Sequence, residues 1–282
     1  GDIVLSAGAV ERERRAQWDE HRRRYGTDIS TTFDAIADPA TVIYDVYLGA
    51  KLHDITDEAK LSIMPGEVIG AALGRILHYQ RLDGRVGRLL EGEAPLQRPV
   101  AWGPERTGIG FIDPGYTSVF DVDRKRASLI DGFPRYRASI DEVLAPASAS
   151  WLRESFRRLR GSPAGDEDPL EFLGMGPRRW VQTLHEALAY LLATEELQPV
   201  KQALSYLYAA AFLEFCADKI RRLGGRTFGE ARRLQRHLGV AGPEAQEFYR
   251  REVDDPVEAM AMAFHAGRGR IRDRMGALTP RR

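Results

Sequence analysis

Between Pro177 and Leu192 the apolar residues Trp180, Val181, Leu184, Leu188, Leu191 and Leu192 fall at i, i+1, i+4, i+8, i+11 and i+12. A strand would scatter these side chains over both of its faces, whereas an α-helix of roughly 3.6 residues per turn gathers them on one. A proline heads the run, where its missing N–H is no loss to a helix. Pro199 opens the next segment, apolar nearly all round from Leu204 to Ala217, which reads as a central helix. Asp255-Pro256 starts another, with Val257, Met260, Phe264, Ile271 and Met275 along it.

The N-terminal half carries the same signals. Asp38-Pro39 offers an N-cap and a first-turn proline for a helix over Ala40 to Leu52. Gly66 to Leu82 has a stripe of Val68, Ile69, Leu73, Ile76 and Leu77. Ser139 with Glu142, and Thr227 with Glu230, have the spacing of capping boxes. Helix becomes implausible only between Pro95 and Phe133, where four prolines (95, 99, 104, 114) meet glycines at 103, 108, 110 and 115. Gly108 to Ile112 and Thr117 to Val122 flank Asp113-Pro114-Gly115, a triplet suited to a type II turn. The expected fold is mainly α, a multi-helix bundle-like body with a central β-hairpin near 98–122. The stretch 161–169, rich in Gly, Pro, Asp and Glu, reads as a linker between a helical region over 1–160 and a second over 170–282.

Composition sets the class. Hydrophobic residues at 43% and charged residues at 29% are the balance of a folded chain rather than a disordered one. The longest uninterrupted apolar run, Tyr206 to Leu213, is far short of the roughly 20 residues that span a bilayer, so no membrane insertion is expected. No basic-then-apolar leader pattern opens the sequence, and a lone Cys216 forms no internal disulfide, which points to the cytoplasm. The formal net charge is zero, so nucleic acid is not indicated as a partner.

Most catalytic signatures are missing. His185-Glu186 lacks the second histidine of a zinc-protease helix, and there is no phosphate-binding Walker loop and no CxxC. Thr107-Gly-Ile-Gly110 lacks the third glycine of a dinucleotide site, and its glycines suit the expected turn. Asp121-Val-Asp123 has no alternating strand–helix frame around it, so these aspartates read as turn residues. Glu214, the one acid inside a long apolar run, reads as reaching toward solvent or a basic partner.

One segment has a sharper likeness. Lys51-Leu52-His53-Asp54-Ile55 closes the expected apolar helix, and His21 lies 32 residues before His53 (53 − 21). Adjacent imidazole and carboxylate ligands can hold divalent ions that acidify bound water and neutralise phosphate charge. Further along come Met64-Pro65-Gly66, His78-Tyr79 with Asp83-Gly84, Gly92-Glu93-Ala94-Pro95-Leu96, Phe120-Asp121, and Pro134-Arg135-Tyr136-Arg137. Their order over residues 21–144 resembles the HD superfamily of metal-dependent phosphohydrolases, and in particular its HD-GYP branch, which hydrolyses cyclic dinucleotides. The resemblance implies a divalent-metal site drawn from His21, His53, Asp54, His78 and Asp121. In this chain the family's paired histidines read His78-Tyr79, and its Gly-Tyr-Pro is absent.

The last local feature is charge. Residues 264–282 hold Arg268, Arg270, Arg272, Arg274, Arg281 and Arg282 against a single acid, Asp273. Glycines at 267 and 269 weaken a helix there, so Arg268, Arg270, Arg272 and Arg274 are expected to form a partner-binding surface outside the core. No intact catalytic constellation can be assembled from these residues. The expected role is therefore recognition or assembly, with another protein as partner and no cofactor assigned. The alternative is the HD-type phosphohydrolase, acting on a nucleotide or cyclic dinucleotide with a divalent metal.

Overall fold

The computed structural model describes residues 3–16, 18–38, 40–46, 58–92, 100–102, 122–161, 173–222, 251 and 255–278. Ten helices account for most of them. The chain divides into two compact units, one built from residues 1–47 and 55–105 and one mainly from 106–282. The stretch 162–172, which contains most of the expected linker, lies outside the described residues.

Unit 1 contains α1 (Ala7–Arg15), α2 (Thr27–Ala37), β1 (Tyr44–Val46), α3 (Glu58–Asp83), α4 (Arg85–Glu91) and β2 (Val100–Trp102). Helix α2 packs on α3, and α3 on α4. Leu73 and Leu77 of the stripe over 66–82 are buried, with Val68, Ile69 and Ile76 half-buried, and Leu90 of α4 is buried as well. Helix α3 begins earlier than Gly66 and runs through Pro65. Gly84 and Gly92 bracket α4 with φ of +65° and +104°, a backbone region costly for any residue with a Cβ.

Two expectations fail here. The β-hairpin is not present among the described residues. Val100–Trp102 pairs instead with Tyr44–Val46, in parallel, with Tyr44 opposite Val100 and Val46 opposite Trp102. A tight two-residue turn joins antiparallel strands, so this parallel pair between distant segments is not a hairpin. Residues 103–121, with the Asp-Pro-Gly triplet, lie outside the described residues, and from Val122 the chain is helical. Nor does Asp38 start a helix. It is the C-cap of α2, and its carboxylate accepts from the Ala40 N–H at 2.9 Å and the Thr41 hydroxyl at 2.7 Å. That local turn leads into the strand, whose β-branched and aromatic residues suit it better than helix.

Unit 2 contains α5 (Val122–Val143), α6 (Pro146–Gly161), α7 (Pro177–Thr194), α8 (Leu197–Arg222), α9 (Asp255–Ala266) and α10 (Gly269–Leu278). The proline-opened α7 and the α9 start at Asp255 fall where the sequence places them. Its core is the seam between α5 and α8. Phe133 stacks on Phe156 at 4.1 Å between ring centres, and Tyr136 on Tyr206 at 4.6 Å, with the Tyr206 hydroxyl donating to the Leu129 carbonyl. Ile140, Val143, Leu152, Leu191 and Leu207 are fully buried around them. Helix α5 continues through Pro134, so Ser139 and Glu142 form no capping box. The Ser139 hydroxyl donates across to Gln202 at 2.7 Å. Glu214 accepts the Gly174 N–H at 3.1 Å, pinning the approach to α7.

Candidate functional site

Of the residues in the metal hypothesis, His53, Asp54 and Asp121 lie outside the described residues. His21 and His78 both belong to unit 1. The His21 ring lies so close to α3 that a Cβ on Gly70 would stand 2.9 Å from it and would force the ring to shift. Glu67, one turn before Gly70, is buried. Burial draws its carboxyl up, but the Arg24 guanidinium at 3.0 Å and the Tyr25 N–H at 3.2 Å outweigh this and hold it below the usual carboxylate range. His78 sits two helical turns beyond Gly70, roughly 12 Å along the axis of α3 at 1.5 Å per residue. Its neighbours are different: burial, then the nearby Arg75, push its imidazole below the ordinary value. His21 and His78 thus occupy separate surroundings on α3. Among the described residues no three His, Cys, Asp or Glu side chains gather closely enough to hold a metal ion.

The same unit holds an ionic cluster that sequence reasoning missed. Arg22 is only 1% exposed, with its guanidinium between Glu13 and Asp34 and over the Trp18 ring. Its Nη1 stands 2.9 Å from Asp34 Oδ2, near enough for an ion pair but out of line for a hydrogen bond. Asp34 also pairs with Arg75 and accepts from the Tyr79 hydroxyl at 2.8 Å. The Arg75 and Arg85 guanidinium carbons lie 5.0 and 5.2 Å from the Tyr79 ring centre. Asp34 therefore ties α2 to α3 and to the turn before α2. Arg22 and Arg75 balance Glu13 and Asp34 in charge, and Glu13 and Tyr79 stand 66 positions apart (79 − 13), so no local pattern announces the cluster.

In unit 2 the basic C-terminal segment divides into an inner and an outer face. Helix α10 packs on α7, and Ile271 is fully buried. Arg274 corrects the sequence reading, because it faces inward. Its guanidinium donates to the Val143 carbonyl at 2.8 Å, at the C-terminal end of α5, where a cation suits the helix dipole. Burial, partly offset by the charge of Glu186, lowers its affinity for the proton. Glu186 complements it across the same corner. Its carboxylate accepts the Ala145 N–H at 2.9 Å and the Ser148 hydroxyl at 2.7 Å at the start of α6, and the Gln182 amide at 2.9 Å. His185, the other half of the dipeptide that suggested a zinc helix, is buried. Its Nε2 lies 2.8 Å from the Phe264 carbonyl, and its ring fills the space where a Gly267 side chain would be.

Arg268, Arg270 and Arg272 remain on the outside. The Arg268 guanidinium donates to the His265 carbonyl at 3.0 Å, and the Arg272 Nη2 comes within 3.9 Å of where a Cβ on Gly269 would stand. Arg270 and Arg272 are exposed and form no ion pair among the described residues. The Arg268 and Arg272 guanidinium groups thus lie about the turn between α9 and α10, with exposed Arg270 between them in the chain. Two anchors hold this turn: the His185 ring clamps Gly267 from below, and Ile271 is set in the core.

A third polar cluster joins α5, α7 and the turn that leads into α8. The Tyr190 hydroxyl lies 2.5 Å from Glu142 Oε1 and 2.8 Å from Glu196 Oε2. Burial, and then the two carboxylates, push its phenol well above the ordinary value, and burial does the same to Tyr206. A raised folded value means that the stability contributed is complete below the unfolded phenol value of about 10, and is lost as pH rises beyond it. Unfolding free energy is therefore expected to fall steeply in the alkaline range. Combining Tyr190→Phe with Tyr206→Phe should flatten that fall in urea titrations from neutral to alkaline pH. An unchanged alkaline limb in the double variant would show that these phenols do not titrate with folding.

No protein-family model, curated protein or solved structure matches the chain.

Proposed function

We propose that the protein acts by recognition, holding an acidic segment of another protein on the arginine-lined turn between α9 and α10. One observation carries the reading: Arg270 and Arg272 are exposed on a helix that the buried Ile271 and the hydrogen bond from Arg274 to the Val143 carbonyl hold in place. Unpaired charge on a mobile tail would be ordinary solvation. Here the helix is anchored, so these cations are presented at fixed positions with no ion-pair partner among the described residues, which favours carboxylates brought by another molecule. Guanidinium groups suit that task, because each offers a planar fork of donors matching a carboxylate.

Binding of fluorescent poly-glutamate to the full chain tests this. The expected result is saturable binding that weakens with added salt, and a loss of about tenfold or more in Arg270→Glu/Arg272→Glu. Both positions are exposed, so the variant should keep the helical circular dichroism of the parent. Equal affinity for the parent and the charge-reversed variant would refute the reading.

A further inference from the structure

Helix α9 leans on α7 through a single side. Pro256, Met260 and Phe264, spaced by four, are partly covered, and Phe264 lies over the His185 ring at 4.6 Å. The rest of the helix is unusually apolar for a solvent-facing surface. Met262 is 62% exposed and Val257 51%, and Ala259, Ala263 and Ala266 share the exposed face with Met262 at i, i+3, i+4 and i+7 spacing. Charge is distributed along this helix with a direction. Asp255 and Glu258 stand at its first turn, while His265 and the arginine-lined turn stand at its last.

We infer that this face takes an amphipathic helix of a partner protein, laid antiparallel to α9. The partner's acidic first turn meets Arg268, Arg270 and Arg272, and its apolar stripe lies over Met262. The inference rests on the recognition reading and adds the chemistry and direction of the partner. Three observations select this occupant. The exposed apolar side chains need apolar atoms to cover them, which an extended polyanion does not supply. A nucleic acid or an anionic lipid surface carries negative charge along its whole length, and would meet Asp255 and Glu258 at the far end of the face. A helix, by contrast, is itself favoured by acids in its first turn and bases in its last. Opposing that pattern to the one on α9 sets the two helices antiparallel. Methionine at the centre adapts its flexible thioether to whatever apolar residues arrive.

The test uses two short acetylated peptides of identical composition, both with leucines at i, i+4, i+7 and i+11. One has glutamates in the first turn and lysines in the last; the other has them exchanged. Binding to the full chain is read by fluorescence anisotropy, with poly-glutamate and a single-stranded oligo-uridylate as further probes. The acid-first peptide is expected to bind about tenfold more tightly than the lysine-first peptide, and more tightly than either polyanion. Met262→Gln, a neutral polar replacement at an exposed position, should weaken the acid-first peptide about tenfold and poly-glutamate far less. Equal binding of the two peptides, or indifference of the acid-first peptide to Met262→Gln, overturns this inference and leaves the recognition reading standing if poly-glutamate still binds. Tightest binding to oligo-uridylate overturns it in favour of a nucleic acid. Failure of every probe, poly-glutamate included, overturns both.

Discussion

Ending the chain at Ala266 is expected to destabilise the protein severely, by several kcal/mol, seen as a large fall in the midpoint of urea unfolding. Removing α10 takes the fully buried Ile271 from its contact with α7. Emptying a site of that kind costs about 2–5 kcal/mol when an isoleucine becomes alanine. The same cut removes Arg274, leaving the Val143 carbonyl without its donor and Glu186 without its facing cation. Ile271→Ala alone isolates the cavity contribution and should show the smaller of the two effects. A truncated chain as stable as the parent would mean that α10 does not pack on α7 in solution, and that all four arginines belong to a tail.

Replacing Arg22 by methionine should be comparably damaging, for an electrostatic reason. The guanidinium is almost wholly enclosed and stands between two carboxylates that are themselves largely covered. Removing one partner of a buried ion pair typically costs about 3–5 kcal/mol, because the charge left behind has lost its water and its counterion. Asp34 keeps Arg75 and the Tyr79 hydroxyl, so Glu13 is the group stranded by the change. Adding Glu13→Gln to Arg22→Met should therefore recover part of the loss. A double-mutant cycle on urea midpoints reads this coupling directly. Strict additivity of the two substitutions would show that the pair does not interact in solution.

The helices were legible wherever a proline or a cap coincided with an apolar stripe, as at Pro177 and Asp255, because both signals are local. Local signals also misled. Asp38-Pro39 has the residues of a helix start, but the Asp38 carboxylate finds its donors at Ala40 and Thr41 and closes a turn instead. Val100 to Trp102 lies in a stretch of prolines and glycines that invites a hairpin, yet its strand partner is remote. Ser139 and Glu142 match a capping box within a helix already under way. The candidate surface was half visible. The density of arginines after residue 264 was plain, but which of them face outward depends on how α10 is rotated against α7. Sequence spacing alone put Arg274 with Arg270 and Arg272, whereas burial of Ile271 brings Arg274 inward. The Arg22–Asp34–Arg75 cluster left no trace in the sequence, since a neutral group of common residues looks like ordinary surface until the chain is folded.

The short parallel ladder between β1 and β2 has a kinetic meaning. It joins Tyr44 to Val100, 56 positions apart (100 − 44), and holds only three residues of each strand. Closing so long a loop costs little more free energy than closing one half its length, roughly 0.6 kcal/mol per doubling. The burden falls on the folding rate, because contacts between distant segments must await a rare encounter, whereas the turns of α3 and α4 form from near neighbours. A ladder this small offers little to hold that encounter once it occurs. Its assembly therefore depends on helices that have already brought the two strands within reach.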